Sequence, residues 1–158
     1  MKIFVAGGTG AIGRPTLDQL LARGHNVVAL TRTQERAQSL AAQGIEPAIA
    51  DVFDSESVKA ALKSAQPEVV IEQLTALPRT YTRESMNATA ALNTRIRSEG
   101  GANVLAAALG SRGAPFPETV DGLLGNSRGV AQLWYATGSL YQETKIFWLG
   151  ISTVLCFK

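Results

Sequence analysis

The sequence predicts an α/β domain built on a doubly wound parallel sheet, with helices on both faces in three α/β/α layers. Three observations predict it. Short runs of β-forming apolar residues alternate with helix-length amphipathic stretches at close spacing, the order that a parallel sheet with crossover helices requires. The first run, Lys2-Ile3-Phe4-Val5-Ala6, passes straight into Gly7-Gly8-Thr9-Gly10-Ala11-Ile12-Gly13. A helix opens directly after those glycines and a second strand follows it, so the glycines occupy a strand-to-helix turn.

The elements follow in order. From Ile12 to Arg23, Ile12, Leu17, Leu20 and Leu21 share one helix face. Pro15 is tolerated in the first turn and Gly24 stops the helix. Asn26-Val27-Val28-Ala29-Leu30 forms a second strand, ending at Thr31-Arg32. Thr33 caps a helix from Gln34 to Gln43, closed by Gly44. Ile45 to Ala50 is a third strand ending at Asp51, and Asp54 or Ser55 caps a helix through Ser64. After Pro67, Glu68 to Leu74 is a fourth strand. Thr75 to Arg83 is polar and holds Pro78, so it reads as a loop at the carboxyl end of that strand, where such sheets line their ligand crevice. A long helical stretch runs from about Glu84 to Leu109, interrupted at Gly100-Gly101.

Beyond Leu109 the regularity fails. The division is therefore residues 1–109 as the ordered domain and 110–158 as an atypical C-terminal segment of it, irregular or incomplete. Gly129 to Tyr135 is a candidate fifth strand, and the apolar Ile146 to Phe157 is either a buried strand or a poorly packed tail. The change in composition after Leu109 is what a truncated or frame-shifted continuation would leave.

The glycine turn carries the chemistry. Gly8, Gly10 and Gly13 fit GxGxxG, and Gly7, Gly10 and Gly13 fit GxxGxxG. In either spacing the early glycine permits a tight turn, Gly10 admits a diphosphate close to the backbone, and Gly13 lets the helix pack on the strand. Free N–H groups and the positive helix end then attract an anion. Because the turn follows a strand, opens a helix and precedes a second strand, it reads as Rossmann-type dinucleotide binding; a purely structural turn or another phosphate ligand is the alternative.

Composition narrows the rest. The 158 residues make one domain with room for a core. A net charge of +2 with scattered arginines gives no nucleic-acid surface. Cys156, the single cysteine, permits no internal disulfide and fits a reducing, cytoplasmic setting. The start of the chain lacks a signal-peptide pattern, and the apolar tail is about half a bilayer span, so no membrane partner is expected. His25, the lone histidine, reads as a surface residue, and no metal-ligand spacing occurs.

Taken with Thr31-Arg32, Asp51-Val52 and Gln73-Leu74-Thr75-Ala76-Leu77-Pro78, the glycine turn resembles the N-terminal part of NAD(P)-dependent epimerase/dehydratase proteins. These are the extended or atypical short-chain dehydrogenases/reductases. Asn93 to Ala108 resembles the family helix that leads into the fifth strand, so the likeness covers about residues 1–109. It implies cofactor contacts at Gly7, Thr9, Gly10, Ala11, Ile12 and Gly13, at Asp51 and Val52 beside the adenine, and at Leu74, Thr75 and Ala76 beyond the fourth strand. The plainer reading of Asp51 is a helix-capping or turn residue. NAD-selective sites place a carboxylate after the second strand, whereas this chain has Arg32, with Arg36 a turn later. Guanidinium groups suit a 2′-phosphate, so NADP is expected and NAD is the alternative; a solvated loop arginine is the plainer reading of Arg32.

The resemblance also implies a Tyr and a Lys four residues apart on a helix, with the ammonium stabilising the phenolate as acid/base. Tyr141 and Lys145 have that spacing, with Ser139 as the third member. Against this, Ser139 lies two residues from Tyr141 rather than on a separate strand, and Tyr135 to Tyr141 also resembles the family's fifth-strand exit, whose tyrosine is not catalytic. The expected function is hydride transfer between a nicotinamide and a carbonyl or alcohol carbon of an unknown small-molecule substrate. The alternatives are a non-catalytic NADP(H)-binding or redox-sensing module and an inactive fragment of a longer enzyme. Self-association is expected if an apolar sheet face is left uncovered.

Overall fold

The computed structural model describes residues 1–78, 80–110, 144–149 and 152–157. Its elements run β1 (Lys2–Ala6), α1 (Gly13–Ala22), β2 (Asn26–Thr31), α2 (Gln34–Ala41), β3 (Glu46–Ile49), α3 (Ser55–Ala65), β4 (Val69–Glu72), α4 (Arg83–Arg95), α5 (Gly101–Gly110), β5 (Thr144–Leu149) and β6 (Ser152–Phe157). The six strands form one sheet in the order β3-β2-β1-β4-β6-β5.

The first four strands are mutually parallel, with Ile3 in register with Val27 on one side and Val69 on the other. The chain steps outward from β1 to β3, then returns to place β4 on the opposite side of β1. That reversal opens a crevice at the carboxyl ends of β1, β2 and β4.

Alternate residues face opposite layers. Phe4, Val28, Leu30 and Val70 pack with Val58 and Leu62 of α3 and Val104 of α5. Ile3, Val5, Val27 and Val69 pack with Leu17 of α1 and Leu40 of α2. Phe4, Val5, Val58 and Leu62 are wholly buried, and each such side chain contributes about 1.5–3 kcal/mol relative to exposure. Helix starts match local chemistry. Asp54, rather than Ser55, caps α3 by accepting from the Glu56 and Ser57 N–H groups at 3.1 and 3.3 Å, and Thr33 accepts from Arg36 at the start of α2.

Three expectations change. Gly100-Gly101 does not interrupt the long helix: α4 and α5 are joined by a π-helical turn, Ile96–Gly100, and both glycines stay in right-handed helical geometry or its continuation. The apolar tail forms two strands rather than one, and they add to the parallel sheet as an antiparallel hairpin. In it β6 pairs with β4, Ile71 opposite Val154, and β5 pairs with β6, Lys145 opposite Cys156. Ile12 does not join the buried face of α1; it is 44% exposed at the helix start. The candidate fifth strand, Gly129 to Tyr135, lies outside the described residues. Among the described residues no helix is long and apolar enough to cross a membrane.

Candidate functional site

The site starts where β1 ends. Gly7 adopts φ +91°, a left-handed conformation that costs glycine little. Its carbonyl accepts from the Gly10 N–H at 3.1 Å, and the Gly10 carbonyl accepts from Arg14 at 3.0 Å, so the turn runs directly into α1. A Cβ on Gly7 would stand 2.5 Å from the Gln73 carbonyl oxygen, and one on Gly13 would overlap the Gly7 carbonyl oxygen. On Gly8 it would meet only the Leu17 side chain, at 3.0 Å. Of the two overlapping spacings, Gly7-Gly10-Gly13 is therefore the one that the backbone requires.

This turn aims an unneutralised helix end at the crevice. Ile12 occupies the cap position of α1 without a side-chain hydrogen bond, and the first turn carries no acidic residue. Within the described residues the N–H groups of Ala11, Ile12 and Gly13 have no hydrogen-bond partner. Donors and helix dipole together make an anion site.

A cavity of about 610 Å³ lies over this turn. Gly7, Thr9, Gly10, Ala11, Ile12 and Gly13 form its floor, Arg32 and Arg36 one end, and Val52, Leu74 and Thr75 further walls. The sequence reading thus located lining residues spread across four segments of the chain. Asp51 and Ala76 stand back from the cavity. The Asp51 carboxylate accepts from the Phe53 N–H at 3.1 Å, the geometry of a turn residue. The Ala76 N–H donates to Asn93 Oδ1 at 2.9 Å.

Leu77, Pro78 and Tyr81 line the cavity from the loop that the sequence placed at the crevice, whereas Thr31 and Gln73 at strand ends, and Ile96, were not assigned to the site. The strand-end pair had a signal, since both positions follow apolar runs at the crevice side. Ile96 had none; it lies at the end of α4, where the π-helical turn begins. Thr31 Oγ1 and Gln73 Oε1, in two residues that line the cavity, are buried without hydrogen-bond partners among the described residues.

The long helix fastens the walls. Asn103 Nδ2 donates to the Val52 carbonyl at 2.8 Å, Gly100 abuts Val52, and the Arg95 guanidinium sits 4.1 Å from the Phe53 ring centroid. Arg95 also pairs with Glu99 at 2.7 Å, which raises the arginine's pKa and lowers the glutamate's. Beside the cavity, Glu72 ends β4. Burial lifts its pKa to about 6, outweighing the Leu74 N–H at 2.6 Å and the Arg97 charge, which pull it down. Neither Arg32 nor Arg36 is ion-paired within the described residues.

Ser139 and Tyr141 lie outside the described residues. Lys145 is in β5, not on the helix expected for it. An extended strand moves about 13 Å in four residues, so the helical argument for bringing Tyr141 over Lys145 does not hold at the lysine end.

The residues present fit a nicotinamide dinucleotide: a glycine turn that excludes Cβ atoms, free amides at a helix end and guanidinium groups beside β2. Known proteins agree. A reductase from Streptomyces, 3-diazoavenalumate denitrifying reductase, is 43% identical over 108 residues, 68% of this chain and 34% of that protein. Human L-xylulose reductase is 41% identical over 68 residues, 42% of this chain and 28% of that protein. UDP-glucose 4-epimerase of Thermus thermophilus, solved with NAD, superposes with a TM-score of 0.55 at 27% identity, over 71% of this chain and 35% of that one. The anaerobillin reductase ChuY of Escherichia coli shares the fold with a TM-score of 0.54 at 23% identity, over 70% of this chain and 46% of that one. The chain thus spans about a third of the length of its Streptomyces relative. The profile of the NAD(P)H-binding family matches residues 7–113, and with the glycine turn, cavity and sheet order in agreement, the chain belongs to that family.

Proposed function

We propose that this chain is the coenzyme-binding part of an NADP(H)-dependent oxidoreductase of the epimerase/dehydratase type. One observation carries the choice of coenzyme. Arg32 and Arg36 line the end of the cavity beside β2, where a carboxylate would select the 2′-hydroxyl of NAD, and no ion pair within the described residues occupies them. Two guanidinium groups there favour a 2′-phosphate through charge-assisted hydrogen bonds.

The bound coenzyme supplies a hydride at C4 of its nicotinamide. The protein's own residues bind and orient it: amides of Ala11 to Gly13 hold the diphosphate, while Leu30, Ala50, Val52 and Ile96 offer an apolar slot for the adenine. Hydride exchange with a carbonyl or alcohol carbon follows if the complete protein places a substrate over β4. Tyr141 is the proposed acid/base of that exchange.

Calorimetric titration of the chain with NADPH and NADH tests the first reading. NADPH is expected to bind more tightly by about tenfold or more, the value of a charge-assisted hydrogen bond. Tighter NADH binding overturns the choice of coenzyme, and no binding of either overturns the reading. NADPH-dependent reduction of small carbonyl compounds, lost in Tyr141→Phe, tests the second; NADPH binding without turnover favours a non-catalytic binding module, in keeping with Lys145 in a strand.

A further inference from the structure

We propose that Glu72 couples occupancy of the cavity to protonation: a diphosphate bound on the glycine turn opposes the charge of this carboxylate, so the chain takes up a proton there as it binds. The proposal rests on the dinucleotide reading above and adds a pH-dependent control that the glycine motif does not contain.

Glu72 is the last residue of β4 and stands in register with Ala6, the last residue of β1. Neighbouring strands lie about 4.8 Å apart, so its backbone is one strand spacing from the residue that leads into Gly7. Its side chain turns toward the crevice end of the sheet. Oε1 accepts from the Leu74 N–H at 2.6 Å, and both Gln73 and Leu74 line the cavity. The Gln73 N–H donates to the Ala6 carbonyl at 2.9 Å, which ties the same segment to β1. The carboxylate is thus fixed against the backbone of the cavity wall, beside the anion-binding turn.

Little offsets its charge. From α5 it meets Gly101, where a Cβ would stand 3.8 Å from Glu72 Cδ. Ala6 is its register partner in β1 and Thr153 its partner in β6. Among the described residues no ion pair includes Glu72, and Arg97 of the π-helical turn is the one charge acting on it. Burial already outweighs the Leu74 N–H and Arg97 and lifts the carboxyl to about 6, so added negative charge nearby acts where the group titrates.

The sign follows. Well below pH 6 Glu72 is neutral and a diphosphate binds unopposed. Above it two negative charges face each other, and binding meets either their repulsion or the uptake of a proton. Affinity therefore falls as pH rises through 6 and levels off once the carboxylate stays ionised in both states.

The test is calorimetric titration of the full chain with ADP-ribose. This probe keeps the diphosphate and lacks the 2′-phosphate, which itself titrates near a pH of about 6. At a pH of about 6.5, in two buffers of different ionisation heat, the parent is expected to take up about 0.3–0.5 proton. Its affinity is expected to fall about three- to tenfold between pH 5 and pH 8, the effect of one partly screened like charge. Glu72→Gln removes the charge and keeps an acceptor for Leu74. It is expected to take up no proton and to bind at pH 8 as tightly as the parent does at pH 5. Glu72→Met, likewise uncharged, has the same flat pH profile and serves if the glutamine variant does not fold. No proton uptake in the parent, or uptake that persists in the uncharged variants, overturns the proposal. So does weaker binding by Glu72→Gln than by the parent at pH 8, which assigns the carboxylate to holding the Leu74 turn alone. If the parent binds neither ADP-ribose, NADPH nor NADH at any pH, it is the dinucleotide reading that fails.

Discussion

Gly13, the first residue of α1, lies so close to Gly7 that a Cβ on it would overlap the Gly7 carbonyl oxygen and come within 2.6 Å of the Gly8 Cα. The atoms in the way are backbone, so the turn must move if a methyl group is added. Gly13→Ala is expected to destabilise the fold by about 1–3 kcal/mol, the usual cost of overpacking, and to abolish NADPH binding by displacing the donors of α1. Gly8→Ala, which meets only the far end of the Leu17 side chain, should cost much less. Thermal melting and coenzyme titration of both variants check the difference; equal losses would mean that the spacing through Gly8 matters as much as that through Gly7.

Arg32 is expected to choose between coenzymes. Arg32→Ala should weaken NADPH by about ten- to a hundredfold while leaving NADH nearly unaffected, since only a 2′-phosphate forms charge-assisted hydrogen bonds with it. Raising the salt concentration should narrow the same gap, because the groups are exposed and screened. Parallel losses for both coenzymes would assign Arg32 to general phosphate attraction.

Glu72 gives the fold a defined pH dependence. Its pKa is raised from 4.5 to about 6 in the folded chain, so the folded state holds this proton more tightly than the unfolded state does. The contribution is fully present below pH 4.5 and is lost as pH rises through 6. Glu72→Gln, which can still accept from Leu74, should remove that component and stabilise the protein above pH 7 by about 1–2 kcal/mol relative to the parent. Urea unfolding at acid and neutral pH measures this; a variant with the parent's pH slope would show that Glu72 is not the group responsible.

Asn103 ties α5 to the loop after β3 through its bond to the Val52 carbonyl. Asn103→Ala should lower stability by about 1–2 kcal/mol, because the carbonyl loses a partner in a partly buried place. It should also weaken coenzyme binding, since Val52 walls the cavity. Denaturant unfolding separates the first effect, and titration at a temperature where the variant is fully folded separates the second.

How much was legible before the fold was known follows from the range of each interaction. Strand runs such as Lys2–Ala6, caps such as Asp54 and the phosphate turn are local, set by neighbours within a few residues, and the chain order alone placed them with small errors at the ends. The same holds for Arg32, which directly follows β2. What the sequence by itself determined is thus the parallel alternation and the anion-binding turn, because period, propensity and glycine spacing act over short distances. Only the tertiary structure decided that Gly7 rather than Gly8 is the indispensable early glycine, that Asp51 turns away from the cavity, and that Thr31, Gln73 and Ile96 join its lining. Those outcomes depend on contacts between β1, β4 and the long helix, which are far apart in the chain. Lys145 shows the same limit from the other side: its spacing from Tyr141 suited a helix, yet pairing with β6 drew it into a strand, and no local signal outweighs a sheet edge that offers a full row of hydrogen bonds.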